Sequence, residues 1–320
     1  MNNIFSATNR VLSDHKIAAT LTEVTKNGFP RRSPRCTSLS LRLKNTADLD
    51  KLLQLSDKLA LAANCESVMI FRDRGVVWVD FSLPKEEWQM FTFNEVRDRG
   101  IGISTSGNII DYNLDVLHQK PHTLLAGTSG SGKSSTMRAI LGRAFIQGQA
   151  RNLKVYICDP NSELAMFEDY AEAYSTGGEP LALFYREFLA RRSSNDKKGV
   201  PSIVFVDELT PIIGNSTSGW DKEILGQLKT LSTESRKYRM YFVGGIQHPV
   251  AEYLPTVVSN MCSMRFVGKV ATRKASEMAL GVTEPDASRL VGGGDTIIYT
   301  DGNAQRFQVG YFSDQDTFAL

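Results

Sequence analysis

No apolar run in these 320 residues approaches the ~18 that span a bilayer. The start, Met1-Asn2-Asn3-Ile4, has neither the basic region nor the apolar stretch of a secretory signal. A cytoplasmic protein without direct membrane insertion is therefore expected. Cysteine is scarce too: Cys36, Cys65, Cys158 and Cys262 lie far apart without a CxxC pair, which argues against a disulfide framework or a zinc site. The four histidines, His15, His118, His122 and His248, show no metal-ligand spacing, and His118 and His122 fit structural roles. Nor is there an excess of charge. Lys plus Arg total 37 against 35 Asp plus Glu, a net charge of +2, so any surface for nucleic acid must be a local patch. Internal repeats and low-complexity tracts are absent. The 42% of apolar residues is enough for one large or two modest domains with proper cores.

Two textures divide the chain at about residue 95. Before it, Leu39, Leu41 and Leu43 alternate as in a half-buried strand, and 47–64 carries apolar residues at helical spacing. The runs 67–72 and 76–81 are rich in Val, Ile, Phe and Trp and flank Asp73-Arg74-Gly75, whose glycine supplies a turn. This predicts a small β-α-β-β domain over 1–95, with the 47–64 helix as core. Gly100, Gly102 and Gly107 then mark a crossing into a second region. Over 96–320, brief apolar runs at 123–126, 155–158, 203–206, 241–243, 265–267 and 296–299 alternate with helical stretches. Strands buried on both faces read this way, so the pattern predicts an α/β sheet of mostly parallel strands.

The first of those runs enters Gly127-Thr128-Ser129-Gly130-Ser131-Gly132-Lys133-Ser134-Ser135, which fits GxxxxGK[ST] between a strand and a helix. Glycines let the backbone N–H groups face a polyphosphate, and the helix start adds its positive end. Lys133 would reach the β- and γ-phosphates of ATP, and Ser134 would bind Mg2+. The run 203–206 delivers Asp207 and Glu208 at its carboxyl end, where ligands of parallel sheets collect. Asp207 would hold the metal, and Glu208 would polarise the attacking water. Gln247 ends the 241–243 strand region at the same edge and could sense the γ-phosphate. The combination describes an ATPase that moves something.

Together with Asp159-Pro160, Val206-Asp207-Glu208-Leu209, Gln247-His248-Pro249, Met264-Arg265-Phe266, Leu290 to Asp295 and Gly310 to Gln315, these motifs resemble the FtsK/SpoIIIE DNA translocases of the wider FtsK–HerA group. The resemblance covers about residues 20–320, more loosely at the amino-terminal end. It implies a RecA-like P-loop motor over 96–320 behind a small α/β domain. It also implies a hexameric ring around double-stranded DNA, ATP between subunits, and an arginine donated by the neighbour. Arg236 and Arg273 are the two candidates for that arginine. His248 stands where the family usually has arginine, and the 167–202 segment is shorter than in the segregation enzymes. Without a membrane segment, linker or winged-helix module, the expectation is a pared-down motor of a plasmid, phage or other mobile element, serving conjugation or packaging. A relaxase, portal or membrane-anchored recruiting protein would be its partner. Two alternatives stay open: a nucleotide-dependent coupling or assembly ATPase, and a single-strand helicase. For DNA contact the sequence offers two basic clusters, Arg191, Arg192, Lys197 and Lys198, and Arg31, Arg32 and Arg35.

Overall fold

The alternating leucines of 37–43 sit where their period puts them. A computed structural model describes residues 2–22, 31–73, 76–148, 152–313 and 316. After helix α1 (Asn2–Asp14) come strands β1 (Ala19–Thr22), β2 (Arg31–Arg32) and β3 (Cys36–Leu43), with Leu39 and Leu41 fully buried. Helices α2 (Leu49–Leu53) and α3 (Ser56–Ala63) lead to β4 (Val68–Asp73) and β5 (Val76–Ser82). These strands form an antiparallel sheet in the order β1-β3-β5-β4, with β2 also on β3. The expected single helix over 47–64 is broken. Leu55 leaves helical geometry (φ −92°, ψ 4°) while its side chain stays buried with Leu52 and Leu59, so packing overrides the local period. Arg74 and Gly75 of the anticipated turn lie outside the described residues.

The second sheet has ten strands. In chain order its elements are β6 (Gly102–Ser104), β7 (Ile109–Ile110), α4 (Leu114–Gln119), β8 (Thr123–Ala126), α5 (Lys133–Gly148), β9 (Lys154–Cys158), β10 (Ala173–Ser175), α6 (Glu179–Ser193) and β11 (Ser202–Val206). They continue as α7 (Thr210–Ile213), the small ribbon β12 (Gly214–Asn215) and β13 (Gly219–Trp220), α8 (Lys222–Glu234), β14 (Met240–Ile246), α9 (Thr256–Met261), β15 (Met264–Val267), α10 (Arg273–Leu280), β16 (Asp295–Thr300) and β17 (Asn303–Val309). The sheet order is β10-β9-β11-β14-β8-β15-β16-β17-β6-β7. It is parallel from β10 to β15, and β16, β17, β6 and β7 are antiparallel additions that the alternation of runs and helices did not announce. Asp301 and Gly302, both at positive φ, make the two-residue turn that folds β17 back on β16. The glycine crossing at 100–107 therefore contains β6 and leads into the edge strand β7.

Central strands are apolar on both faces because both are covered. On β11, Val204 and Val206 enter one apolar layer with Leu124 and Phe242, while Ile203 and Phe205 enter the other with Leu125 and Val243. The two sheets are tied together through a buried ion cluster. Arg306 of β17 reaches Asp295 at 2.7 Å and Asp80 of β5 at 3.2 Å, with all three side chains almost wholly excluded from water. Among the described residues no helix is long and apolar enough to cross a membrane.

Candidate active site

Strand β8 releases the chain into the glycine loop, and α5 begins at Lys133. Gly132 has φ +100°, and a Cβ there would lie 2.3 Å from the Gly294 nitrogen, so only glycine fits. The close approach has a purpose in the backbone: Gly293 N–H donates to Gly130 O and Gly294 N–H to Ser131 O, both at 3.0 Å. On the other flank the Thr128 hydroxyl donates to Lys269 O at 3.0 Å. Loop 292–294 and Lys269 thus clip the glycine loop into shape before any ligand arrives.

At the floor lies a buried cation between two carboxylates. Lys133 Nζ donates to Asp207 O (2.8 Å) and Oδ1 (3.0 Å), and Glu208 Oε2 is 3.9 Å away. β11 positions Asp207 and Glu208, and its neighbour β14 positions Gln247, whose N–H donates to Glu208 Oε1 at 3.3 Å. Burial pushes the Glu208 carboxyl above the ordinary range, against the opposing pull of Lys133. Asp207 Oδ2 and Glu208 Oε2 are buried without a hydrogen-bond partner. Such orphaned acceptors suit a magnesium ion, which is held by one or two protein oxygens plus phosphates and water rather than by a protein cage. No cluster of three or more His, Cys, Asp or Glu that could hold a metal ion occurs among the described residues.

Above this floor opens a cavity of about 400 Å³. Thr128, Ser129, Gly130, Gly132, Lys133, Ser134, Ser135 and Gln247 line it; Gly127 and Ser131 support the loop from behind, Ser131 being buried and accepting from Lys133 N–H at 3.3 Å. The rest of its lining was missed from sequence: Arg35, Met90, Glu163, Gln308 and Tyr311 also line it. The triple glycine at 292–294 was the one available hint of a backbone-to-backbone approach.

Other anticipated residues scatter. Neither arginine candidate lines the cavity. Arg236 is exposed just before β14, at the edge of the sheet opposite the glycine loop. Arg273 opens α10 and pairs with Glu284 at 2.7 Å and Glu277 at 3.5 Å. Arg191 departs from the expected DNA cluster: it is buried, donating to Tyr238 O (2.9 Å), to Ser202 Oγ (2.9 Å) and to Glu187. Its neighbours Arg192, Lys197 and Lys198 are exposed, at the edge that also holds Arg236. Arg35 likewise leaves its cluster for the cavity wall, and the side chains of Arg31 and Arg32 lie outside the described residues. His122 is structural: burial lowers it to about 4, and its Nδ1 accepts from Phe242 N–H at 3.1 Å. His118 shares a hydrogen bond with the Tyr241 hydroxyl, and His248 contacts the Tyr253 ring.

Comparison with known proteins gives a consistent neighbourhood. Residues 92–179 match the FtsK/SpoIIIE family model. The chain is 20% identical to a DNA translocase FtsK of Staphylococcus aureus over 95% of its own length, and 22% identical to that of Lactococcus lactis over 90%. It spans 43% of the length of each. Among solved structures, the pCW3 conjugation coupling protein TcpA, determined with ATPγS, superposes with a TM-score of 0.60 at 22% identity, covering 98% of this chain and 95% of that one. The shared fold is the RecA-like P-loop ATPase core.

Proposed function

We propose that this chain, an FtsK-type P-loop motor, hydrolyses ATP and spends the energy moving along double-stranded DNA. One observation carries the proposal: the glycine loop with Lys133 and Gln247 line a single cavity, and Asp207 and Glu208 meet Lys133 at its floor, although these groups come from three separate stretches of chain. The backbone N–H groups of 128–134 cradle the phosphates, and Lys133 turns from Asp207 toward the β- and γ-oxygens. Ser134 and Asp207 would hold Mg2+, which would supply neutralisation of phosphate charge. Glu208, whose burial raises its proton affinity, accepts the proton of the attacking water, and Gln247 orients that water.

At the floor, beside Asp207 and Glu208, Lys133 is the one cation among the described residues, Arg35 standing elsewhere in the lining, so a neighbouring subunit supplies a second for a γ-phosphate whose charge spreads in the transition state. Arg236 suits this role. It sits beyond the far end of the seven-residue β14, about 20 Å from its own pocket at ~3.3 Å per residue, and only another copy's pocket is within its reach. Arg273 is the alternative, once freed from Glu284. The unit over 1–95 rides on the motor over 96–320. Arg192, Lys197 and Lys198 give the exposed charge for sequence-independent phosphate contact, and transfer or packaging of a mobile element is the setting.

A second reading, a coupling ATPase that orders a complex without stepping, gains interest from the full-length fit to a conjugation coupling protein. ATP turnover measured without nucleic acid, with single strands and with duplex, alongside mass by light scattering, separates the cases. Duplex-stimulated turnover and a mass several times 35.5 kDa are expected. Turnover indifferent to DNA would favour the coupling reading, and stimulation by single strands alone would favour a helicase.

A further inference from the structure

At the mouth of the cavity two large apolar side chains stand uncovered, Met90 at 70% and Tyr311 at 48% exposure. The backbone that carries them is firmly held. Tyr311 N–H donates to Phe91 O at 2.8 Å and Phe93 N–H to Tyr311 O at 2.9 Å, so the two segments are laced side by side at the rim. An aromatic ring carried at the edge of a polar cavity offers a flat apolar face to a planar ligand.

Beside Gly293, which is itself bonded to the phosphate loop, the cavity wall contains a guanidinium from the turn that joins two strands of the other sheet. Arg35 lies in the turn between β2 and β3 and is 7% exposed. Its Nε donates to Gln308 Oε1 at 2.8 Å, its Nη2 donates to Gly293 O at 3.0 Å, and its Cζ lies 4.2 Å from the Trp88 ring centroid. Two of the guanidinium's five N–H donors are so engaged, which leaves about three for a ligand. All three partners are neutral, and among the described residues no carboxylate pairs with Arg35 at ion-pair distance.

We infer that the amino-terminal unit completes the nucleotide site, with Arg35 donating to acceptors of the nucleoside half and Tyr311 and Met90 covering the base. This rests on the nucleotide reading above and extends it, because the glycine loop offers backbone N–H groups to phosphate and no aromatic or other large apolar side chain to a base. Nucleotide binding would then draw the small unit and the motor together through one ligand.

The test compares ATPγS with inorganic tripolyphosphate, both with Mg2+, by titration calorimetry on the full chain. Arg35→Gln, Arg35→Lys and Tyr311→Ala are each compared with the wild type after their melting curves are checked. Arg35→Gln and Tyr311→Ala should each weaken ATPγS about 10-fold, with tripolyphosphate within about 2-fold of wild type. Arg35→Lys, which keeps charge but loses the fork, should lie between. Equal losses for both probes would mean that Arg35 acts only through Gly293 and the loop it clips, and would overturn the inference; so would ATPγS affinity unchanged in Arg35→Gln and Tyr311→Ala. Should Arg35→Gln fail to fold, the exposed Tyr311 still decides the outcome. Wild-type protein binding neither probe would refute the nucleotide reading and this inference with it.

Discussion

Replacing Lys133 by alanine should do more than stop ATP hydrolysis. From sequence alone the fold is expected to survive unchanged, but the side chain is 5% exposed and bonded to an Asp207 carboxylate that is 1% exposed, with Glu208 3.9 Å away. Removing one partner of a buried pair leaves uncompensated charge, typically about 3 kcal/mol or more. At ~2 °C per kcal/mol for a chain of this size, that is roughly a 6 °C fall in Tm. Because burial already raises the Glu208 carboxyl and Lys133 opposes that rise, the variant lifts it further. A carboxyl raised in the folded state costs stability as pH climbs through the interval between its unfolded and folded values. The deficit should therefore shrink on acidification toward pH 4.5, near the ordinary glutamate value. Lys133→Ala combined with Asp207→Asn should recover much of the Tm and none of the turnover. Scanning calorimetry from pH 4.5 to 8 checks this; a Lys133→Ala protein that melts with the wild type at every pH would refute the buried ion cluster.

Glu208→Gln should retain ATPγS binding and slow hydrolysis at least ~100-fold, read by stopped-time phosphate release; loss of binding as well would make Glu208 structural. Neutralising Arg192, Lys197 and Lys198 together, leaving the buried Arg191 intact, should lower the slope of log affinity for duplex against log salt by up to about 2.7, and an unchanged slope would assign them to the outer face. Burial pushes Glu284 up to about 7 from 4.5 despite the Arg273 guanidinium 2.7 Å away. The folded chain thus holds a proton that the unfolded chain releases, and stability falls as pH rises through that window. Glu284→Gln should therefore gain on the order of 1 kcal/mol by pH 8, after discounting for solvent, and nothing near pH 4 in urea unfolding; a gain independent of pH would exclude titration as its source.

What was legible in the sequence is what is local. The glycine loop, the Asp207-Glu208 pair and Gln247 each end a short apolar strand, and parallel strands deliver their carboxyl ends to one edge, so strand alternation alone brings them together. The resemblance to the FtsK/SpoIIIE family rests on the same stretches and on their order. Signals that depend on a partner distant in sequence were silent. Arg191 reads as one of four clustered basic residues, yet helix α6 turns it inward onto Tyr238 and Ser202 while its neighbours face water. Nothing in a charge count distinguishes those faces.

The same reasoning explains why half of the cavity went unread. Arg35 and Gln308 are separated by 273 positions and meet because β17 extends the sheet past β16 to the small unit. That extension is antiparallel, so it lacks the helix between strands by which the parallel part is recognised. Arg306, one turn of the pleat from Gln308 on the same face, makes the companion contact to Asp80 and Asp295. Alternate residues of one strand thus hold the two sheets together by ions and place Arg35 at the cavity. Sequence shows only Arg306-Phe307-Gln308, a polar-apolar-polar alternation that elsewhere marks a solvated strand face. Here the polar face is buried because a second sheet covers it, and the charges that look solvent-bound become the joint.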